Sequence, residues 1–211
     1  KPLLIFEPMT IDYPMASIRF HKFAIEGMQD IQKQTEKSKA FYFPYVEEKR
    51  GVADKLLIEL AKNAAVVITD DYPTYFVPQM TAEAKGSIQT TYELVDSNGL
   101  LPIRIAEKEY VRAHDFRRFM HKNIEDFLVE VPEKDPLEYL NLKFDEKLLE
   151  PIFKKYELVD FNKVNTQDFL NNLNVDKSVE VSDVVGGYNA AKSRLDPVSY
   201  THLRAHETHP N

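Results

Sequence analysis

The sequence predicts an α/β fold, a doubly wound parallel sheet covered by helices, followed by the start of an all-α domain. Short β-branched or aromatic runs alternate along the chain with stretches whose apolar residues recur at helical spacing. These runs are apolar throughout, which is typical of strands buried on both faces of a parallel sheet. With 43% hydrophobic residues, the 211-residue chain can bury a sizeable core.

The first predicted elements are a buried strand at residues 3–6, ended by Glu7-Pro8, and a helix from about Met15 to Lys37. We expect this helix to bury a single apolar stripe. The stripe consists of Phe20, Phe23, Ala24, Gly27, Met28 and Ile31. A second strand, with Phe41, Phe43 and Tyr45 alternating, and a helix with apolar positions from Ala53 to Ala64 follow.

A third strand, buried on both faces, is predicted at residues 65–69. Asp70 and Asp71 follow it as helix-capping residues, since Asp is favoured at helix N-caps and Pro73 suits a first helical turn. The helix that they open should end near Lys85, with Gly86 as its C-terminal cap.

A fourth strand at residues 90–95 and a helix over residues 116–128 complete the predicted α/β domain, which we place at 1–131. Residues 132–196 begin with a Pro-containing linker and continue as short helical pieces, the start of the all-α domain. Residues 197–211 resemble translated sequencing-adapter read-through, and we exclude them from the fold.

The composition excludes several classes of protein. Without Cys, the chain has no disulfides, thiolate catalysis or Cys-ligated metal, and it is compatible with the cytoplasm. No apolar run approaches the length of a membrane span, so we expect no membrane partner. The six Gly form no phosphate-binding loop. A net charge of -7 makes the chain as a whole a poor binder of nucleic acid.

Polar residues that follow the predicted strands are the candidate ligands of a cofactor. In a doubly wound sheet, ligands bind in a crevice at the carboxyl ends of the strands. The residues expected to line this crevice are Glu7, Pro8, Asp70, Asp71, Tyr72 and Asn98. Other interpretations stay open, because the Asp pair could bind a metal or cap a helix, and Asn98 could form a turn with Gly99.

Two further groups of charged residues each have alternative interpretations. We predict that the chain has no metal site and no catalytic residue. Spacing that could suggest zinc occurs in the excluded tail, at His202, His206 and His209. A basic cluster on the last helix consists of Arg117, Arg118, His121 and Lys122. It could contact a phosphate or a flavin tail, or it could be a solvated face that Glu125 and Asp126 balance.

Several stretches resemble, by their order and spacing, the photolyase/cryptochrome family, and especially class II-like deoxyribodipyrimidine photolyases. The N-terminal stretch reads KPLLIFE, then ASIRFHKF and EGM, and the next is VVITDDYP at 66–73. The third runs from VDSNGLLP to AHDFRRF, and GGYNAAKSRL at 186–195 resembles the helix that opens the flavin domain of the family. The resemblance covers residues 1 to about 196.

The resemblance implies a light-dependent DNA repair lyase that binds FAD in its helical domain and acts on damaged DNA by flipping out the lesion. It implies an antenna chromophore, a deazaflavin or a folate, in the crevice of the Rossmann-like α/β domain. By alignment on Tyr110 and Phe116, Lys108 stands where folate-binding relatives often have Glu, which favours a deazaflavin or an empty site.

The resemblance also implies a strand and a helix before Lys1 and most of the helical domain after residue 196. We therefore expect a monomeric fragment, inactive by itself, and the absence of Trp agrees with the loss of a Trp-rich helical domain. Two other functions stay open, a blue-light receptor of the cryptochrome type and a nucleotide-binding type of α/β domain without photochemistry.

Overall fold

The structure, a computed structural model, describes residues 1–129, 131–162 and 166–196. It is mixed α/β, as predicted, and contains two separate parallel two-stranded sheets. The described chain divides into two compact units, one formed by Lys1–Lys55 and the residues from Pro136 onward, the other by Leu56–Asp135. The single doubly wound sheet stays a prediction.

The sheet of the first unit pairs β1 (Leu4–Met9) with β2 (Phe41–Val46) in parallel. The prediction that β1 ends at Glu7-Pro8 is wrong, because the ladder continues to the Met9–Val46 pair. The main-chain oxygens of Leu3 and Met9 accept bonds from the β2 side. Because the main-chain groups of successive residues in a strand point to opposite sides, those of Pro8 point away from β2. The N–H that Pro8 lacks is therefore not needed for the ladder between β1 and β2. Apart from Pro8, which is exposed, the side chains of β1 are half-buried rather than buried.

The crossover between these strands is α1 (Ile18–Thr35), which Ser17 caps through its side-chain oxygen. The predicted stripe is right at Met28, which is 1% exposed, but wrong at Phe20 and Phe23, which are 52% and 50% exposed. The other buried side chains of α1 are Ile18, His21, Ile25 and Thr35. At 3.6 residues per turn, the buried face lies about 100° around the helix from the predicted one. His21 fits there because its Nδ1 lies 3.0 Å from the Ser17 carbonyl oxygen.

Two of the short C-terminal helices add to the core of the first unit. They are α5 (Glu150–Phe153), with Ile152 buried, and α6 (Thr166–Asn172), with Leu170 buried, whereas α7 (188–196) is almost entirely exposed. Leu170 and Leu173 join Ile25 and Met28 of α1 in one buried cluster. This explains how a region with few apolar residues is packed, since it adds to the core of β1, β2 and α1 and needs no core of its own.

A buried carboxylate fastens the carboxyl end of this sheet to α2 (Val52–Ala61). Glu47 is 1% exposed and follows β2 directly. It accepts bonds from Thr10 Oγ1 (2.7 Å), the Ile11 amide (3.2 Å), and the Val52 and Ala53 amides (2.8 and 3.1 Å). Burial opposes ionisation of Glu47, but these four donors together hold its pKa below the ordinary value.

The second unit pairs β3 (Val66–Asp70) with β4 (Thr91–Val95) in parallel, and α3 (Val77–Ser87) connects them. The expectation that β3 is buried on both faces is wrong, since exposure alternates along it and Ile68 is 60% exposed. The predicted C-cap is also wrong, because Gly86 lies inside α3 and Ile88 caps it. The last helix of the unit is α4 (Ala113–Asn123).

Four 3₁₀ turns complete the described elements, at Ile103–Ile105, Ile124–Phe127, Pro136–Tyr139 and Glu146–Leu149. Within the described ranges, none of the helices has the length and apolar character that a membrane crossing needs.

Candidate functional site

The site lies in the second unit, where β3 and β4 end side by side. Asp70 pairs with Val95 at the last rung of the ladder, and the Asp71 amide extends it by donating to the Val95 carbonyl at 2.8 Å. The chain leaves both strands with polar residues, and the carboxyl ends of parallel strands are the usual place for a ligand.

Asp71 is held by Arg104, 33 residues later in the chain. The guanidinium donates through Nε to one carboxylate oxygen and through Nη2 to the other, the latter at 2.7 Å. The hydrogen bonds from Arg104, and its charge, lower the pKa of Asp71. Two parallel bonds fix the guanidinium plane. Within the described part of the chain, Nη1 of Arg104 has no hydrogen-bond partner, so it remains available to a ligand.

Asp96 folds the loop that carries Arg104 back onto the strand ends. It accepts bonds from the Ile103 amide at 2.7 Å and from the Asn98 amide at 3.2 Å, and these donors lower its pKa. The Asn98 side chain also donates to the Asp71 carbonyl at 2.8 Å. Hydrogen bonds from its own polar residues therefore hold the loop in place.

A cleft of about 560 Å³ opens between α3 and this loop. Cavities of roughly 300–1,000 Å³ are typical of small-molecule sites. The apolar lining residues are Pro73, Pro78, Ala82, Leu94, Ile103 and Ala106. The polar lining residues are Asp71, Tyr72, Thr81, Lys85, Asp96 and Arg104. An apolar cleft with two cationic donors at its rim can hold a planar ring that carries carbonyl or anionic oxygens.

The six predicted ligands are distributed between different roles. Asp71 and Tyr72 line the cleft. Asp70 accepts a 2.5 Å hydrogen bond from the Ser97 hydroxyl, and Asn98 braces the loop, so both support the site from outside its lining. Glu7 and Pro8 lie on β1 in the first unit, and the cleft of the second unit is built without them.

The alternative roles considered for the Asp pair can also be compared with the structure. The prediction that Asp70 and Asp71 cap the next helix is wrong, because α3 begins after Phe76, which makes no side-chain cap bond. Their carboxylates are engaged by Ser97 and Arg104. Among the described residues, no three His, Asp or Glu side chains lie close enough together to share a metal ion. His202, His206 and His209 lie outside those residues.

Glu7 has a partner on its own sheet. Its carboxylate accepts a short hydrogen bond from the Tyr42 hydroxyl on β2. Burial raises the pKa of Glu7, and burial together with the Glu7 carboxylate raises the pKa of Tyr42. Pro8 is exposed. These features give Glu7 a structural role in the first unit.

Sequence reasoning missed most of the residues that line the cleft, among them Lys85, Leu94 and Arg104. The only sequence signal for Arg104 was its place just after the Asn98 loop and Pro102, where a loop can return to the strand ends. Lys108 stands where folate-binding relatives often have Glu. Its ammonium group lies 5.4 Å from the centre of the Tyr110 ring. That contact is a cation–π interaction within the chain.

No protein-family profile matches the chain. The chain is similar to the deoxyribodipyrimidine photo-lyase of Methanothermobacter thermautotrophicus, with 28% identity over 152 residues. The match covers 72% of this chain but 32% of that relative, so the chain spans about a third of the relative's length. The similarity supports a photolyase-related family for this chain.

Proposed function

We propose that the chain is the antenna-chromophore part of a light-dependent DNA repair lyase, a deoxyribodipyrimidine photolyase. The observation that carries the proposal is the cleft at the carboxyl ends of β3 and β4, in a chain similar over 72% of its length to a photo-lyase. The class II-like assignment rests on the sequence stretches described above.

The domain organisation is part of the proposal. Residues 1–131 would form the antenna domain with a doubly wound sheet, residues 132–196 would begin the FAD-binding helical domain, and residues 197–211 would be foreign to both. Two parallel strand pairs, each joined by a helical crossover, support the first assignment. The short helices that make up the described elements of residues 132–162 and 166–196 support the second. FAD and damaged DNA would bind the remainder of a cytoplasmic, monomeric parent protein.

We propose a deazaflavin as the ligand of the cleft. Its planar ring would pack on Leu94 and Ile103, which are apolar lining residues. Its carbonyl and ionised oxygens would accept hydrogen bonds from Arg104 Nη1 and from the Lys85 ammonium at the rim. When bound, such a chromophore absorbs blue light and passes the excitation energy to a flavin. The chain itself holds the ring and fixes its orientation.

Binding can be tested by titrating the purified 211-residue chain with a deazaflavin and following the polarisation of its fluorescence. We expect saturable binding with a stoichiometry of one. Ala82→Phe fills the cleft from α3 and should weaken binding at least about tenfold. A loss of ~1.4 kcal/mol of binding free energy corresponds to that factor. Met80→Phe places the same ring on the same helix outside the lining residues and should bind like the parent chain.

Two results would contradict the proposal. One is the absence of saturable binding by a chain that is folded by circular dichroism. The other is an equal affinity of the Ala82→Phe and Met80→Phe variants, which would place the ligand elsewhere. A folate that binds the same cleft more tightly than the deazaflavin would overturn the choice of chromophore. Without the rest of the parent protein, we expect the chain to split no pyrimidine dimers under blue light.

A further inference from the structure

One face of α4 carries a continuous stripe of basic side chains that the cleft does not use. The stripe consists of His114, Arg117, Arg118, His121 and Lys122. Their spacings of three and four residues place them on one side of the helix, within an arc of about 140°. All five are exposed. The stripe is therefore a surface feature whose charge faces solvent.

The stripe has no counterions in the described part of the chain. Glu125 and Asp126 were the carboxylates that could have balanced it, but neither forms an ion pair with it there. Residues 112–122 contain four permanent cations, one of them Arg112 at the N-cap of the helix, and a single carboxylate, Asp115. In a chain of net charge -7, this is a local excess of positive charge.

The opposite face of α4 carries aromatic side chains. Phe116 and Phe119 stack with ring centres 6.2 Å apart, and the Tyr110 ring lies 5.5 and 5.3 Å from them. Aromatic pairs at such distances add about 0.5–1.5 kcal/mol each beyond their burial. The aromatic contacts of the helix therefore lie on one face, and the basic side chains lie on the other.

We infer that this basic stripe binds the phosphate backbone of a nucleic acid. From His114 to Lys122 the helix rises about 12 Å, at ~1.5 Å per residue. Duplex DNA carries one charge per ~1.7 Å of its axis, so several phosphates face a surface of this length. Three of the four permanent cations are arginines, whose planar donors match phosphate oxygens in pairs.

The overall negative charge of the chain does not prevent this contact. Charges farther than a Debye length, about 8–10 Å at physiological salt, are largely screened, whereas the stripe would touch the phosphates directly. The proposed function places one DNA-binding surface on the remainder of the parent protein. The basic stripe would be a second DNA-binding surface, on this chain. Its sequence preference would be weak, because backbone contacts carry no base information.

The test uses the full 211-residue chain in the dark, without chromophore, and a fluorescein-labelled duplex of about 20 base pairs, followed by anisotropy. With about four phosphates contacted and a slope of ~0.9 per phosphate, the affinity should fall about 100-fold between ~50 and ~200 mM salt. Replacing Arg117, Arg118 and Lys122 with Gln should lower the affinity at ~50 mM salt at least about tenfold and flatten the salt dependence to about one phosphate.

The matched control replaces three exposed lysines of the first unit, Lys37, Lys49 and Lys154, with Gln. It removes the same charge and should keep both the affinity within about threefold and the steep salt slope. Arg117→Lys with Arg118→Lys keeps the charge but loses the planar donors, and we expect an intermediate affinity. This second variant also keeps the test decisive if the triple variant proves unfolded by circular dichroism.

Three results would overturn the inference. They are no duplex binding at ~50 mM salt, an equal loss in the stripe variant and the lysine control, and tighter binding of labelled polyglutamate than of the duplex. The last would show that an acidic protein, not a nucleic acid, is the partner. None of these results bears on deazaflavin binding in the cleft, so the two proposals fail independently.

Discussion

Glu47→Gln should destabilise the first unit by about 3 kcal/mol. The amide can keep one oxygen toward the Val52 and Ala53 amides, but it loses the charge that strengthens those two bonds. Its NH₂ group then meets the Ile11 amide, which can only donate. Weakening two charge-assisted bonds costs about 1–2 kcal/mol, and one unsatisfied buried N–H adds about 1–3 kcal/mol.

Urea unfolding followed by circular dichroism measures this loss, and Glu48→Gln is the matched control because Glu48 is the exposed neighbour. The control should change the free energy of unfolding by less than about 0.5 kcal/mol. A Glu47→Gln variant within the same limit would refute the claim that the buried carboxylate holds β1, β2 and α2 together.

The same variant has a defined pH dependence. The pKa of Glu47 is lowered from its ordinary value of 4.5 in the folded chain, because its four donors outweigh burial. The unfolded chain therefore binds the proton more readily, and the stabilisation is present above pH 4.5 and lost as the pH falls through the folded pKa. The difference between parent and variant should be constant above about pH 5.5 and shrink below pH 4.5.

Three further changes test other parts of the structure. Gly186→Ala would place a Cβ in steric clash with the Phe23 carbonyl oxygen, so we expect residues 186–196 to leave α1 and trypsin to cut faster after Lys192. The matched change Gly86→Ala, where a Cβ meets nothing within 4 Å, should stabilise the chain by about 0.5–1 kcal/mol and leave cleavage unchanged. Met28→Ala, in the buried cluster of α1, should cost about 2–4 kcal/mol in urea unfolding, and a cost below about 1 kcal/mol would contradict the packing. Asp71→Asn should release Arg104 and lower the affinity for deazaflavin several-fold at pH 7. The pKa of Asp71 in the parent chain lies below the ordinary 3.8, so Asp71 stays ionised and the parent should bind equally well from pH 8 to about 5.

The positions of the elements were largely predictable, because strand and helix periodicities are local properties of the sequence. All four predicted strands and the long helices occur within a few residues of their expected places. The buried face of α1 was not predictable. Phe20 and Phe23 are more apolar than His21, but the helix buries the face that packs against β2, Leu170 and Leu173. Tertiary contacts decided that choice, and two of them, Leu170 and Leu173, lie more than 100 residues away in sequence.

Only part of the candidate site could be predicted, because some of its residues are brought together by contacts between distant parts of the sequence. Asp71 and Tyr72 could be found because they follow a strand, and the ends of parallel strands form ligand sites. Arg104 could not, because its role depends on a bidentate pair formed across 33 residues and on a loop that Asp96 folds back. The capping role predicted for Asp71 failed because α3 begins only after Phe76, and the Asp71 carboxylate binds that arginine.

The central claim is that the cleft between α3 and the Arg104 loop holds a planar chromophore. Titrating the ¹⁵N-labelled chain with a deazaflavin and recording amide chemical shifts tests it most directly. We expect the largest shifts at Thr81, Lys85, Leu94 and Ala106, with the amides of β1 and β2 unchanged. Shifts that cluster on β1 and β2, or no shifts at a saturating deazaflavin concentration, would contradict the claim.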